Sequence, residues 1–355
     1  MTIFTRPGGR AERRLRAGTG LATLCLLAAC GGGGDDGVTR APTTPVTPVD
    51  TTYNIPAGEV RTLSDPDGTG TAIQDAGFVL EDGRSLTARS VGSAAVTLGY
   101  GDGGTSIAPG TVVEVRRNAA GELTLVVDGV QYDFDAGDRE VDGFGYFTED
   151  ECDSSGVCVG AFIYEADGGI DELLTTRNGW AEVIGYQTNQ VPTSPDGRDL
   201  AGFAIVGTET RNDVLAGLPT ATYTGRARVN VYPETGFVNN STSRTVQQGD
   251  LSMTANFGEG TIDGTIDNIQ RRPAGSDTFD PVTGSLVMEK TQFDVNGFSG
   301  NVAAGPGYVS ESPELLANTD YSGAFYGPEA DQVAGTISGS GNGANAVGYF
   351  NGFKD

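Results

Sequence analysis

From Ala221 to Tyr232 the chain reads ATYTGRARVNVY. Ala221, Tyr223, Gly225, Ala227, Val229 and Val231 fall on one side of an extended backbone, and Thr222, Thr224, Arg226, Arg228 and Asn230 on the other. A strand repeats every two residues, so the pattern predicts one long strand with a single dry face. LSMTANF repeats it, with Leu251, Met253, Ala255 and Phe257 between polar neighbours. Gly258-Glu259-Gly260 then turns the chain into TIDGTIDNI. Val295-Asn296-Gly297-Phe298 and Gly341-Asn342-Gly343 supply two further hairpin signals. About eight strands are expected between Leu218 and Phe353. Gly225, Gly264, Gly323, Gly335 and Gly348 fall inside them. Glycine weakens an open sheet, but it makes room where a small barrel is crowded or must bend. Antiparallel strands with interior glycines and aromatics therefore predict a closed eight-stranded barrel filled by side chains.

The preceding region, 53–217, is also β-rich but less regular. Gly110 to Phe134 reads as three strands, with turns at Asn118-Ala119-Ala120-Gly121 and Asp128-Gly129. Glu81-Asp82-Gly83-Arg84 is another turn. Gly160 to Tyr186 alternates less cleanly, with a short helix as an option near Ile170 to Thr175. Val191 to Asp199 holds two prolines and reads as an exposed loop. The fold class expected is all-β: an irregular β-rich handle followed by the barrel.

Charge narrows the function. The chain carries 47 acids against 22 bases, a formal −25. Phosphate backbones need a basic face, so nucleic acid is excluded as the expected partner. No histidine is present, which removes the commonest general base and metal ligand together.

The first thirty residues form a leader pattern. Arg6, Arg10, Arg13, Arg14 and Arg16 precede an apolar run from Gly20 to Ala29. That run is too short to span a bilayer. It ends in Leu27-Ala28-Ala29-Cys30, which resembles a bacterial lipobox; in such signals the peptidase cuts before the cysteine, whose sulfur carries diacylglycerol. An ordinary secretory leader with a chance cysteine is the alternative, and Arg13-Arg14 raises a twin-arginine route whose flanking residues fit poorly. Losing residues 1–29 removes five arginines and one glutamate, leaving 17 bases, 46 acids and a formal −29. Acyl chains on Cys30 would hold the chain to a membrane at about 0.8 kcal/mol per buried methylene. Gly31 stands next, where an aspartate resembles an inner-membrane retention signal, and this favours the outer membrane. Residues 30–52 then read as a tether: Gly31 to Gly34 give it a flexible start, and Pro42, Pro45 and Pro48 stiffen its second half.

With Cys25 in the leader and Cys30 acylated, Cys152 and Cys158 remain. A close pair in an exported chain predicts one structural disulfide. A redox pair would more usually be spaced C-x-x-C, and a zinc site would need two more ligands.

Five segments carry a family resemblance. ATYTGRA (221–227), LSMTANFGEGTIDGTI (251–266), NGFSGNV (296–302), GAFYGPEADQVAGTISG (323–339) and GYFNGF (348–353) resemble barrel strands of transferrin-binding protein B and its relatives, including factor H-binding-protein-like lipoproteins. NGWAEVIGY (178–186) and GFAIVGTET (202–210) resemble the handle that precedes such barrels. The match covers roughly 200–355 and is thin over 50–160. It implies a layout of leader 1–29, tether 30–52, handle 53–217 and barrel 218–355. It also implies a surface lipoprotein that captures a protein or solute, often an iron carrier or haem protein, and passes iron to a TonB-dependent receptor. The full transferrin-binding protein has two lobes and this chain has length for one, which argues against transferrin itself. The family's binding residues lie in variable loops, so none is carried over.

Other motifs fail on context. Gly99-Tyr100-Gly101-Asp102-Gly103-Gly104 fits G-x-G-x-x-G, but Pro109 and Gly110 come after it where a dinucleotide site needs a helix. Asp65 to Gly70 hints at a calcium loop, yet Pro66 and Ala76 at the twelfth position spoil it. Twelve tyrosines make haem ligation arithmetically open, though most are expected in the core. No catalytic, cofactor-binding or metal-ligating residue is nominated. A binding module is the reading; a structural or adhesive envelope lipoprotein is the alternative, ahead of an enzyme.

Overall fold

A computed structural model of the chain describes residues 51–53, 86–89, 92–99, 104–117, 123–134, 147–152, 158–165, 180–190, 199–207, 209–237, 243–293, 296–310 and 313–355. The leader, most of the tether, the turns at 81–84 and 118–121, the acidic segment 65–70, the optional helix at 170–175 and the loop 191–198 lie outside these residues. In chain order the early strands are β1 (Thr51–Tyr53), β2 (Leu86–Arg89), β3 (Gly92–Leu98), β4 (Thr105–Ala108), β5 (Val113–Arg117), β6 (Leu123–Val127) and β7 (Val130–Phe134). Next come β8 (Phe147–Cys152), β9 (Cys158–Glu165), β10 (Ala181–Gln190), β11 (Asp199–Gly207) and the one-turn helix α1 (Asn212–Leu215). The rest are β12 (Ala221–Pro233), β13 (Thr245–Asn256), β14 (Thr261–Arg272), β15 (Asp280–Pro281), β16 (Leu286–Gln292), β17 (Phe298–Ala304), α2 (Pro313–Ala317), β18 (Thr319–Tyr326), β19 (Gln332–Gly341) and β20 (Ala344–Lys354).

The last sheet runs β13-β12-β20-β19-β18-β17-β16-β14, and β13 also pairs with β14. Eight antiparallel strands therefore close on themselves, as the alternation predicts, and closure removes the exposed edges. Short β15 only flanks β14. Asn342 (φ 48°) and Gly343 (φ 73°) both occupy the left-handed region between β19 and β20, so Asn-Gly makes the tight hairpin. Asp128 and Gly129 do the same between β6 and β7. Asn296-Gly297 does not turn this way: Asn296 is buried and its side chain holds neighbouring backbone instead.

Upstream lie two open sheets, ordered β1-β2-β5-β6-β7 and β4-β3-β11-β10-β9-β8. The first covers one face of the second through Val113, Leu125, Val127, Tyr132 and Phe134 against Ile184, Tyr186, Leu200 and Ala204. The second sheet's other face lies on the barrel. Ala181, Val183, Phe203 and Ile205 meet Ala324, Tyr326, Ala334 and Tyr349, while Ala94, Val96 and Leu98 meet Tyr232, Phe237 and Val347. Strand β11 is thus buried along its whole length. A strand covered on both faces has no polar side to alternate with, which explains the unbroken apolar run there.

The same packing corrects the expectation of one dry face on β12. Ala221, Tyr223 and Ala227 are buried inside the barrel, but Asn230 and Tyr232, on the outer face, are also buried. Polar residues make this seam specific. Gln332 Nε2 donates to Ala181 O (2.9 Å) and Asn351 Oδ1 (2.7 Å), and its Oε1 accepts from the N–H groups of Trp180 (2.6 Å) and Ala181 (2.9 Å). Asn345 Nδ2 donates to Thr105 O at 2.9 Å, and Thr105 Oγ1 donates to Pro233 O at 2.9 Å.

Candidate binding surface

The barrel interior is graded from one end to the other. At the end where β13 turns into β14, Phe325 has Phe257, Phe293 and Phe298 with ring centroids 5.0, 5.1 and 5.4 Å away. Tyr223 donates its hydroxyl to Ala330 O at 2.8 Å across this plug. Tight connections close the same end: 257–260 and the 327–331 turn. Aromatic rings are wide and flat, so a few of them seal a small barrel.

The opposite end is open. It is lined by aliphatic side chains, among them Val231, Ile266, Leu286, Val302, Leu315 and Ile337, around a cavity of about 510 Å³. That lies within the roughly 300–1,000 Å³ of small-ligand pockets. Strands β12, β14 and β17 end at this rim, where the longer intervals of chain before β13, β16 and β18 begin. Helix α2 leans across it, held where Thr319 Oγ1 donates to Leu315 O at 2.6 Å. Tyr308 donates to Gln247 Oε1 at 3.2 Å, and Arg271 points into the mouth beside it. Val309 is 83% exposed on the rim and Phe279, in the 273–285 connection, is 38% exposed. Apolar walls, a few polar groups and exposed hydrophobic residues on long loops suit the capture of a partner.

The cysteines expected at β8 and β9 are brought together by the backbone: Cys152 is the cross-strand partner of Cys158. Directly opposed residues sit about 4.5–5.5 Å apart at Cα, inside the span of a disulfide. Cys30 lies outside the described residues. Gly99 and Gly104 close a loop between paired strands β3 and β4, with the Gly99 N–H on Gly104 O at 3.0 Å. Among the described residues a strand, Thr105–Ala108, and no helix directly follows them. Tyr132, Tyr186, Tyr223, Tyr232, Tyr321, Tyr326 and Tyr349 are buried in the core. Burial pushes the Tyr186, Tyr223, Tyr232, Tyr321 and Tyr326 phenols upward, the opposite of what an iron-bound phenolate needs. Among the described residues no three His, Cys, Asp or Glu side chains cluster as a metal site, and no helix is long and apolar enough to cross a membrane. The mouth itself escaped the sequence reading. Its lining comes from all eight barrel strands, short β15 and helix α2, and no local motif marks it.

The described residues thus join a closed eight-stranded antiparallel barrel to two packed sheets. Residues 218–354 match the family described as the C-lobe and N-lobe beta barrels of Tf-binding protein B, and this part of the chain is a transferrin-binding protein B-like barrel. Solved structures give weaker likenesses. Isotype 1 transferrin binding protein B from serogroup B Neisseria meningitidis is 17% identical, with a TM-score of 0.39, over 75% of this chain and 43% of that one. The N-lobe domain of lactoferrin binding protein B from Moraxella bovis is 16% identical, TM-score 0.32, over 54% and 79%. A variant of transferrin binding protein B from Haemophilus parasuis Hp5 is 12% identical, TM-score 0.30, over 77% and 76%. The chain thus spans less than half the length of the Neisseria protein. No curated protein matches it.

Proposed function

We propose that this chain is an outer-membrane lipoprotein, anchored by acyl chains on Cys30 and displayed at the cell surface, that binds a host iron-carrier or haem-carrying protein. The match of residues 218–354 to the barrels of transferrin-binding protein B carries this reading. The basic leader and its Leu27-Ala28-Ala29-Cys30 ending support the anchor. In this layout 30–52 is the tether, 53–217 the handle and 218–355 the barrel. The solved relatives are named for binding transferrin or lactoferrin. We assign the corresponding role here to the open mouth and its loops, with delivery to a TonB-dependent receptor as the next step. The Cys152–Cys158 register supports a structural disulfide in the handle.

Two measurements test this. The purified full chain is immobilised and offered transferrin, lactoferrin and a haem protein separately; saturable retention of one of them is expected, and retention of none removes the ligand assignment. Intact cells are treated with protease; cleavage of the chain is expected, and its protection until lysis sinks surface display.

A further inference from the structure

All five arginines of residues 218–355 lie on β12, at the start of β13 or at the end of β14. Arg226 stands opposite Asp250 in register, and Arg271 points into the mouth. The other three gather on the outer wall. Arg228 lies opposite Gln248, Arg272 lies opposite Val246, and Arg244 precedes Val246 by two residues on the same face. All three are half-buried, and together they surround Val246, which is fully buried. Arg244 and Asn230 both reach the Tyr232 phenol. The Nε atoms of Arg228 and Arg244 are buried without an acceptor. Among the described residues none of the three makes an ion pair, although acids outnumber bases twofold in the chain. Arg272 is held below the usual guanidinium range by burial and by the charges of Arg244 and Arg228, with Asp277 opposing. Phe279 lies under the Arg272 guanidinium at 5.7 Å, turning it along the wall.

We propose that Arg228, Arg244 and Arg272 form an oxyanion site on the outer face of β12–β14, taking a phosphate group either free or on a phosphorylated lipid headgroup. Like charges held close and partly desolvated are costly, and a doubly charged oxyanion offsets that cost through several charge-assisted hydrogen bonds. Guanidinium groups suit phosphate because their planar fork donates two bonds at once. The three arginines adjoin the mouth through Tyr232 and Phe279 but do not line its cavity, and phosphate binding is read without a carrier protein, so either assignment can fail alone.

The test titrates the full chain by calorimetry with inorganic phosphate and with a soluble short-chain phosphatidic acid, ionic strength being matched with chloride. Saturable binding of at least one probe is expected, weakened tenfold or more in Arg244→Gln and Arg272→Gln and unchanged in Lys290→Gln. Binding of both probes assigns the phosphate group itself; binding of the lipid alone assigns the headgroup. No saturable binding of either, or equal binding by the arginine variants that fold as the parent does by circular dichroism, overturns the proposal.

Discussion

Phe350 points into the barrel from β20, and it fits because two neighbouring positions carry no side chain. A Cβ on Gly335 would stand 2.1 Å from Ser322 O and 2.3 Å from Phe350 Cζ; one on Gly323 would stand 2.6 Å from both Ala334 O and Phe350 Cζ. Backbone oxygens in a closed barrel cannot step aside. Gly335→Ala is expected to destabilise the chain by about 1–3 kcal/mol, read as a lower urea midpoint at unchanged slope. Asn296 is the polar counterpart. Its Nδ2 donates to Thr210 O and Phe325 O, each at 2.7 Å, and its Oδ1 accepts from the Phe325 N–H at 2.7 Å. Thr210 in turn donates to Phe325 O (2.8 Å) and Gly327 O (2.6 Å). Asn296→Ala strands these buried groups, and a loss of about 2–4 kcal/mol in thermal or urea unfolding is expected. A change below about 0.5 kcal/mol would mean that the network contributes nothing net. The dipeptide Asn-Gly lies in the connection between antiparallel β16 and β17, where a hairpin signal belongs, and its asparagine is in addition a buried clamp. Its partners lie 29 and 86 positions away, beyond the reach of any local signal.

At the scale of elements, the GAFYGPEADQVAGTISG segment is the β18–β19 hairpin, with Tyr321 opposite Ile337 and Gly323 opposite Gly335. Its inward side alternates Val333, Gly335, Ile337 and Gly339. Its outward side is Gln332, Ala334, Thr336 and Ser338, small apart from the glutamine. Small outward residues let the second sheet approach, and Gln332 pins it. The β8–β9 hairpin makes a separate prediction. With Cys152 and Cys158 in register, peptide mapping of exported chain under non-reducing conditions should recover the two joined and lighter by two hydrogens. Two alkylated thiols in that mapping would refute the bond. Alternation was legible in the barrel strands because one of their faces meets the interior. It was blurred in β10 and β11 because both of their faces are covered.

Across the packed sheets and the barrel, buried tyrosine hydroxyls carry the pH sensitivity. Burial raises the Tyr186, Tyr232 and Tyr326 phenols above their ordinary value, with the nearby carboxylates Asp128 and Glu209 adding to the shift at Tyr186 and Tyr326. A group whose folded pKa exceeds its unfolded one stabilises fully below the unfolded value, about 10 for a phenol. That stabilisation drains as pH climbs from there toward the folded value, at about 1.4 kcal/mol per pH unit for each such residue. Unfolding is expected to set in above pH about 10, with tyrosinate absorbance from the buried rings rising together with loss of circular dichroism. Titration of all tyrosines near pH 10 in a still-folded chain would contradict this.

By itself the sequence determined the all-β class, the strand count of the barrel, its inward face and its Asn342-Gly343 and Asp128-Gly129 hairpins. Each comes from side-chain periodicity or from φ preferences that act within a few residues. Only the tertiary structure decided which outer faces are covered, where the barrel opens and which arginines stand together. Those depend on strands meeting across long loops: β3 against β20, or Arg228 near Arg272, 44 positions apart. A local pattern records that a face is dry or wet, and contact alone decides which neighbour lies against it.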